Sequence, residues 1–316
     1  MQLRIGSRGS ALALWQAHHV RDRLRALDPS LVIEITTIQT IGDRITDVAL
    51  SRIGDKGLFT RELDRAIVDG DVDLAVHSLK DIPTVLAEGL ALPAVLERND
   101  PRDALVVAPG TPRSLLDLPH GARIGTSSLR RRAQLLALRP DLHVEDLRGN
   151  LDTRLKRVEN GDYDAAILAL AGIRRLGFEA EVSQILDAPE WLPAAGQGAL
   201  GITTRANDTA IIEIVRALDH APTRAETTAE RSFLRELEGG CQIPIGALGI
   251  AQQTLTLNAI VASVDGINVV RGRIEGSLDD AADLGRSLAD ELRDRGAGRI
   301  LDELRAQNGQ PRPAAP

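Results

Sequence analysis

The chain has 316 residues, 43% of them hydrophobic and 26% charged, the balance of a soluble globular protein of two or three domains. A net charge of -7 and only six aromatic residues leave little to neutralise phosphates or stack on bases, which argues against a nucleic-acid partner. No run of about 18 apolar residues exists, so no membrane span is expected.

Through the first two thirds of the chain, strand and helix patterns alternate. Residues 3–6 read as a strand, and Ser10 caps a helix over Ala11–Leu27. A strand over 31–38, a helix over Arg61–Val68 closed by Gly70, and a strand over 73–77 follow. Strands are expected at 104–108 and 122–125. Ser128 caps a helix to about Leu138, 143–147 is a strand, and Asn150 caps Leu151–Glu159. Residues 164–169, DAAILA, form a nearly continuous apolar run, as in a strand buried on both faces. This alternation predicts an α/β fold with largely parallel sheets. After about residue 220 the pattern changes. Residues 254–263 alternate in polarity, 267–274 pair with them across Asp265-Gly266, and a helix runs over about 279–295. That is a small antiparallel α+β domain. The tail 311–316, PRPAAP, is expected to be disordered.

Ligands of open α/β sheets bind at the carboxyl ends of the strands. Each expected strand exit carries a cation: Arg8 with Ser10, Lys80 beside Asp81, Arg130 and Arg131 after Ser127 and Ser128, Arg148 with Arg154 one helical turn on, and Arg175 after Gly172. If the strands are parallel, these cations share one mouth with helix N-termini that themselves attract anions. On the 129–138 helix, Leu129, Ala133 and Leu136 share one face, which leaves Arg130, Arg131 and Gln134 on the other, free to reach a ligand. Arginine pairs bidentately with carboxylate and phosphate, so the mouth suits a ligand bearing several of either. Asp81 is an acid among these cations. It is either a cap or partner for Lys80, or a group that offsets a transient positive charge and moves a proton.

Cys241 is the one cysteine, set in LEGGCQIP. It can form neither an internal disulfide nor a cysteine metal cluster, and is either a small buried residue or a reactive thiol exposed on a turn. One cysteine, and an N-terminus without a basic-then-apolar leader, suggest a reducing cytoplasm. No metal-ligand cluster is evident. On the residues alone, an enzyme competes with a non-enzymatic anion-binding protein of two lobes and with a phosphoribosyltransferase. The phosphate loop of the last is missing.

Several blocks carry a resemblance to a known family: RIGSRGSALALWQA (4–17), GDKGLF (54–59), AVHSLKDIP (75–83), GTSSLRR (125–131), LRGN (147–150), LPAAGQG (192–198) and EGGC (238–241). In these the chain resembles the porphobilinogen deaminases, also called hydroxymethylbilane synthases, over essentially its whole length apart from the tail. The resemblance implies a transferase that joins four porphobilinogen molecules head to tail, losing four ammonia, and releases the linear tetrapyrrole hydroxymethylbilane. It implies a dipyrromethane cofactor held through a thioether to Cys241, and Asp81 as the catalytic carboxylate. By the same analogy Lys80, Ser127, Ser128, Arg130, Arg131, Arg154 and Gly172 hold the cofactor. Arg8, Ser10, Arg148, Arg175 and Gln197 meet porphobilinogen or the growing polypyrrole chain. The stretch 42–59, with Arg52, Lys56 and Phe59, is expected to act as a lid; Arg52 replaces the lysine often found there. The implied architecture is two α/β domains like the halves of periplasmic binding proteins, with a cleft between them. They comprise residues 1–99 with 200–218, and 100–199. A third domain over 219–310 carries the cysteine, and the family expectation is a cytoplasmic monomer.

Overall fold

The structure, a computed structural model of the chain, describes residues 1–44, 57, 60–237 and 243–307. Strand β1 (Gln2–Ser7) leads into helix α1 (Ala11–Leu27), whose start is fixed by Ser10 Oγ accepting from the Ala13 amide at 3.3 Å. Ala13, Ala17, Val20 and Leu24 recur at helical spacing and are buried. The helix stops at Asp28, which precedes Pro29 and is extended, as a residue before proline tends to be. Strand β2 (Val32–Thr37), helix α2 (Arg61–Val68), strand β3 (Leu74–Ser78) and strand β4 (Leu90–Val95) follow.

The chain then leaves for a second sheet. It runs through β5 (Asp103–Val107), β6 (Arg123–Gly125), α3 (Leu129–Leu138), β7 (His143–Glu145), α4 (Leu151–Glu159), β8 (Ala165–Ala169), α5 (Leu170–Arg175) and β9 (Gln184–Leu186). It returns as β10 (Leu200–Arg205) and α6 (Thr209–Arg216). The first sheet is ordered β2-β1-β3-β10-β4 and the second β7-β6-β8-β5-β9. Both follow one plan: three parallel strands, then two joined antiparallel. The sheets are thus half parallel rather than largely so. In each, the antiparallel fourth strand is the one that arrives directly from the other sheet.

Helix α7 (Ala221–Glu236), strands β11 (Ile245–Ala251), β12 (Leu255–Ala262) and β13 (Val269–Gly276), and helices α8 (Ala281–Leu292) and α9 (Gly298–Gln307) form the third unit, an antiparallel sheet under helices. Phe233, Leu257, Leu288 and Leu292 fill its core. At Gly285, where α8 crosses α7, a Cβ would lie 2.4 Å from Ala229 O. The β12–β13 turn, with Gly266 at φ +74°, abuts α3 so closely that a Cβ there would sit 2.4 Å from the Ala137 amide. Among the described residues no helix is long and apolar enough to cross a membrane.

Strands β4, β9, β10 and β11 and helices α5, α6, α7 and α9 lie outside the expected pattern. Strand β4 contains Pro93, which a strand tolerates at a sheet edge, where β4 lies. Helix α7 buries Thr223, Thr227, Glu230 and Ser232 beside Ala229 and Phe233, so polar residues interrupt its inward face and weaken the hydrophobic stripe. The tail 311–316 lies outside the described residues.

Candidate active site

The parallel strands of each sheet deliver their carboxyl ends at one edge, and the two edges meet. After β3 the chain makes a short 3-10 turn, Leu79–Asp81, with Leu79 fully buried as its anchor. From α7, Arg231 donates to the carbonyls of Ile82 at 2.8 Å and Pro83 at 2.7 Å, fixing the stretch that follows Asp81. Across the cleft, helix α3 starts at Ser128, whose Oγ accepts from the Arg131 amide. The charges of Arg131, Arg130 and Asp103 in the second sheet's half all act on Lys80, and that of Asp81 acts on Arg154, so the two halves form one electrostatic site.

Arg130 and Arg131 do not reach freely into the cleft as their position on the helix suggested. Both are buried against Asp103, the first residue of β5, which is itself 0% exposed. Arg130 Nη1 is 2.8 Å from Asp103 Oδ2 and also donates to Leu192 O; Arg131 Nη2 is 2.7 Å from Oδ1 and its Nη1 donates to Ile167 O. Trp191 Nε1 donates to Asp103 Oδ2 at 2.8 Å. Gln134 is also turned inward, bonding both the carbonyl and the amide of Leu192. Burial alone would raise the Asp103 carboxyl pKa. The two guanidinium charges and their hydrogen bonds outweigh it and hold the group far below the usual carboxylate range. The reason for the correction is tertiary: the acid lies 27 residues before Arg130, and no local pattern announces it.

A second group of cations has no such acid among the described residues. Lys80 is in hydrogen-bond reach of Gln197 Oε1 at 3.2 Å and makes no ion pair among the described residues. Burial draws its pKa down to about 8, with Arg131 adding to the fall and Asp81 and Asp103 opposing it. Arg154 Nε donates to Gly149 O at 2.8 Å; burial, then the charges of Arg131 and Arg148, bring its pKa to about 10. Arg148 Nη1 is buried with no hydrogen-bond partner among the described residues. Arg175 donates to Gly198 O at 2.6 Å and lies over the Trp15 ring, 5.7 Å from its centroid; burial lowers its pKa to about 10. Each of these groups is held partly desolvated without an ion-pair partner among the described residues, a costly arrangement that an anionic ligand would relieve.

The remaining expected residues fall as follows. Arg8 leaves β1 half-buried, and its charge adds to the burial that lowers the His77 pKa to about 4. Ser10 is the α1 cap. Ser127 Oγ donates to Leu147 O at 3.1 Å, so its hydrogen is committed to the protein and only its oxygen can serve a ligand. Gly172 packs by Leu12 and Leu151, with room for a Cβ at 3.6 Å. Gln197 is 1% exposed with both ends of its amide engaged by protein groups, so it is not presented to the cleft. Cys241, Arg52, Lys56 and Phe59 lie outside the described residues, as does nearly all of the 42–59 stretch. Asp103, Arg98 and Glu230 belong to the site's framework and were not anticipated. The one sequence signal for Asp103 is a charge opening an otherwise apolar strand. Among the described residues no group of three His, Cys, Asp or Glu could hold a metal.

Two α/β halves meeting at a cleft with partly desolvated, acid-free cations and one central carboxylate define a class: a two-domain protein built to hold a polyanion and act on it. Residues 3–213 match the family description "Porphobilinogen deaminase, dipyromethane cofactor binding domain", and 225–294 match "Porphobilinogen deaminase, C-terminal domain". A porphobilinogen deaminase of Carboxydothermus hydrogenoformans is 51% identical over 302 residues, covering 95% of this chain and 96% of the relative. One of Synechococcus elongatus is 53% identical over 304 residues, covering 96% and 95%. The chain belongs to the porphobilinogen deaminase family.

Proposed function

We propose that this protein condenses four porphobilinogen molecules head to tail, releasing four ammonia, and that one water then releases the chain as hydroxymethylbilane in tetrapyrrole biosynthesis, with Asp81 and the acid-free cations around it carrying the reaction. The carrying observation is the contrast in the cleft: among the described residues Lys80, Arg148 and Arg154 make no ion pair, and Arg148 Nη1 is buried without a partner. Porphobilinogen bears an acetate and a propionate on each ring, so these cations suit substrate and product alike.

The same donors fit a dipyrromethane, whose rings bear the same carboxylates. When bound, that group supplies the pyrrole end to which units are added. Lys80, Arg131 and Arg154 would hold its carboxylates, with Arg130 holding Arg131's partner Asp103 in place, Ser128 and the Ser127 oxygen adding polar contacts, and Gly172 giving close approach. Cys241 would anchor it through a thioether. Arg8, Ser10, Arg148 and Arg175 would bind the incoming porphobilinogen and the growing chain, and Arg52, Lys56 and Phe59 would cover them. The Asp81 carboxylate accepts hydrogen bonds from pyrrole N–H groups, offsets positive charge as ammonia leaves, and takes the proton released at the attacked ring.

The domain division 1–99 with 200–218, 100–199 and 219–310 is supported by β10 rejoining the first sheet. We place the protein in the cytoplasm as a monomer, without nucleic-acid or membrane partners; the single cysteine and net charge of -7 support this. The test is intact mass under denaturing conditions, paired with ammonia release. An excess of two deaminated porphobilinogen units, absent in Cys241→Ala, is expected. A bare-chain mass in protein that releases no ammonia from porphobilinogen overturns the proposal.

A further inference from the structure

The segment that returns from the second sheet carries one side chain that touches both halves of the cleft. Gln197 Oε1 lies 3.2 Å from Lys80 Nζ, and its Nε2 donates to Asp103 Oδ1 at 2.9 Å and to Pro101 O at 2.7 Å. This orientation is forced. Turned over, the amide would set an oxygen against a carboxylate and a carbonyl, and an NH2 against an ammonium.

The main chain here is pinned as well. Gln197 O accepts from Arg98 Nε at 2.8 Å. Arg98 makes a two-pronged pair with Glu230, at 2.6 and 3.1 Å, and Glu230 also accepts from the amides of Gly196 and Gly249. The next residue, Gly198, has φ +90°, and a Cβ there would lie 2.3 Å from Asn99 O on the outgoing segment. The amide therefore sits at a point where the outgoing chain, the returning chain and the third unit are locked together.

We propose that Gln197 is a positioning residue: its amide sets the distance between Lys80 on the first half and the Asp103–Arg131 pair on the second, and its Oε1 keeps Lys80 an ammonium. The inference rests on the carboxylate-holding role given to Lys80 above, and it moves Gln197 from substrate contact to support. The charged groups acting on Lys80 are Arg131, Arg130, Asp81 and Asp103. Neither acid is within ion-pair distance among the described residues, so Gln197 Oε1 is the oxygen that accepts from the ammonium. One of its three hydrogens is thereby committed and two remain for a ligand. Loss of that oxygen removes a bond made to the charged form, and the proton should then leave more readily.

The chain has three lysines, Lys56, Lys80 and Lys156, so reductive 13C-methylation of the holoprotein gives few signals, with Lys80 assigned through Lys80→Arg. Gln197→Met should lower the Lys80 titration midpoint, an approximately tenfold loss of proton affinity, the size of one charged hydrogen bond. Gln197→Glu should raise it by a similar factor. The alkaline limb of kcat should move in the same two directions, which a merely structural residue would not cause. Midpoints unmoved in both variants, with only Tm lowered, overturn the proposal. Should neither variant fold, side-chain 15N signals of Gln197 in the unmodified wild type decide. They should track the alkaline Lys80 step and lose it in Lys80→Arg; a flat response refutes the pairing. If ammonia release fails while the Lys80 midpoints still shift, the reaction assignment falls and the positioning role stands.

Discussion

The cleft holds two populations of cations, and they live by different rules. Arg130 and Arg131 are buried and share Asp103, with carbonyls and Trp191 completing the set. Lys80, Arg154 and Arg175 are desolvated and are met by an amide, carbonyls or an aromatic ring, and Arg148 Nη1 is buried without a partner; among the described residues none of the four pairs with a carboxylate. The first group is neutralised by the fold itself. The second leaves positive charge over, and an anionic ligand supplies what the fold withholds. A count of arginines in a cleft therefore overstates its capacity for carboxylates, because some of them serve the scaffold.

This contrast can be broken most forcefully at Asp103. Asp103→Ala leaves two buried guanidinium groups uncompensated and should cost about 3–5 kcal/mol of stability, seen in denaturant unfolding. A normal unfolding midpoint would erase the distinction between the two populations. At the opposite extreme, Asp81→Ala should leave folding intact while turnover falls roughly 10²–10⁴-fold, the worth of a positioned acid–base group. Near-wild-type ammonia release would remove Asp81 from the chemistry.

A third kind of buried group sharpens the comparison. His77 is fully buried beside Thr203 Oγ1 at 3.1 Å, and burial, then the charge of Arg8, lowers its pKa to about 4 from 6.5. Below pH 6.5 the unfolded chain takes up a proton that the folded chain refuses. Stability should therefore fall as pH drops from about 6.5 to about 4, by on the order of 3 kcal/mol once complete. His77→Asn should flatten that part of the stability curve. The smallest effect belongs to the acid-free set. Arg148→Met should not lower Tm, since it removes a buried donor that lacks a partner, yet it should weaken porphobilinogen binding by about 1.5–3 kcal/mol. A fall in Tm with unchanged KM would place Arg148 among the scaffold arginines.

Much of the site was legible because apolar runs ending in Arg or Lys mark strand exits, and strands parallel to one another send their exits the same way. Lys80, Asp81, Arg148, Arg154 and Arg175 were found so. The helix angles placed Arg130, Arg131 and Gln134 together correctly, but not the face on which the protein would close. That face is decided by Asp103, upstream of the helix, and by Trp191 and Leu192, far beyond it in sequence, and spacing within a helix carries no information about either. The α+β unit was legible in its β12–β13 hairpin, where polarity alternates and a glycine turns the chain. It was opaque in β11, IGALGIA, whose glycines weaken the strand signal, and in α7, whose buried face mixes Thr, Glu and Ser with Ala229 and Phe233.

The position of β10 has a consequence for how the protein is made. It lies between β3 and β4, yet it is synthesised only after the entire second sheet. Between the end of β4 at Val95 and the start of β10 at Leu200, the ribosome adds about a hundred residues, which takes roughly 5–20 s at ordinary elongation rates. Through that interval β3 and β4 have no strand between them, and their open edges invite pairing with other chains. The second sheet, contiguous in sequence from β5 to β9, can close first. The nascent first half must wait until β10 arrives to close its sheet.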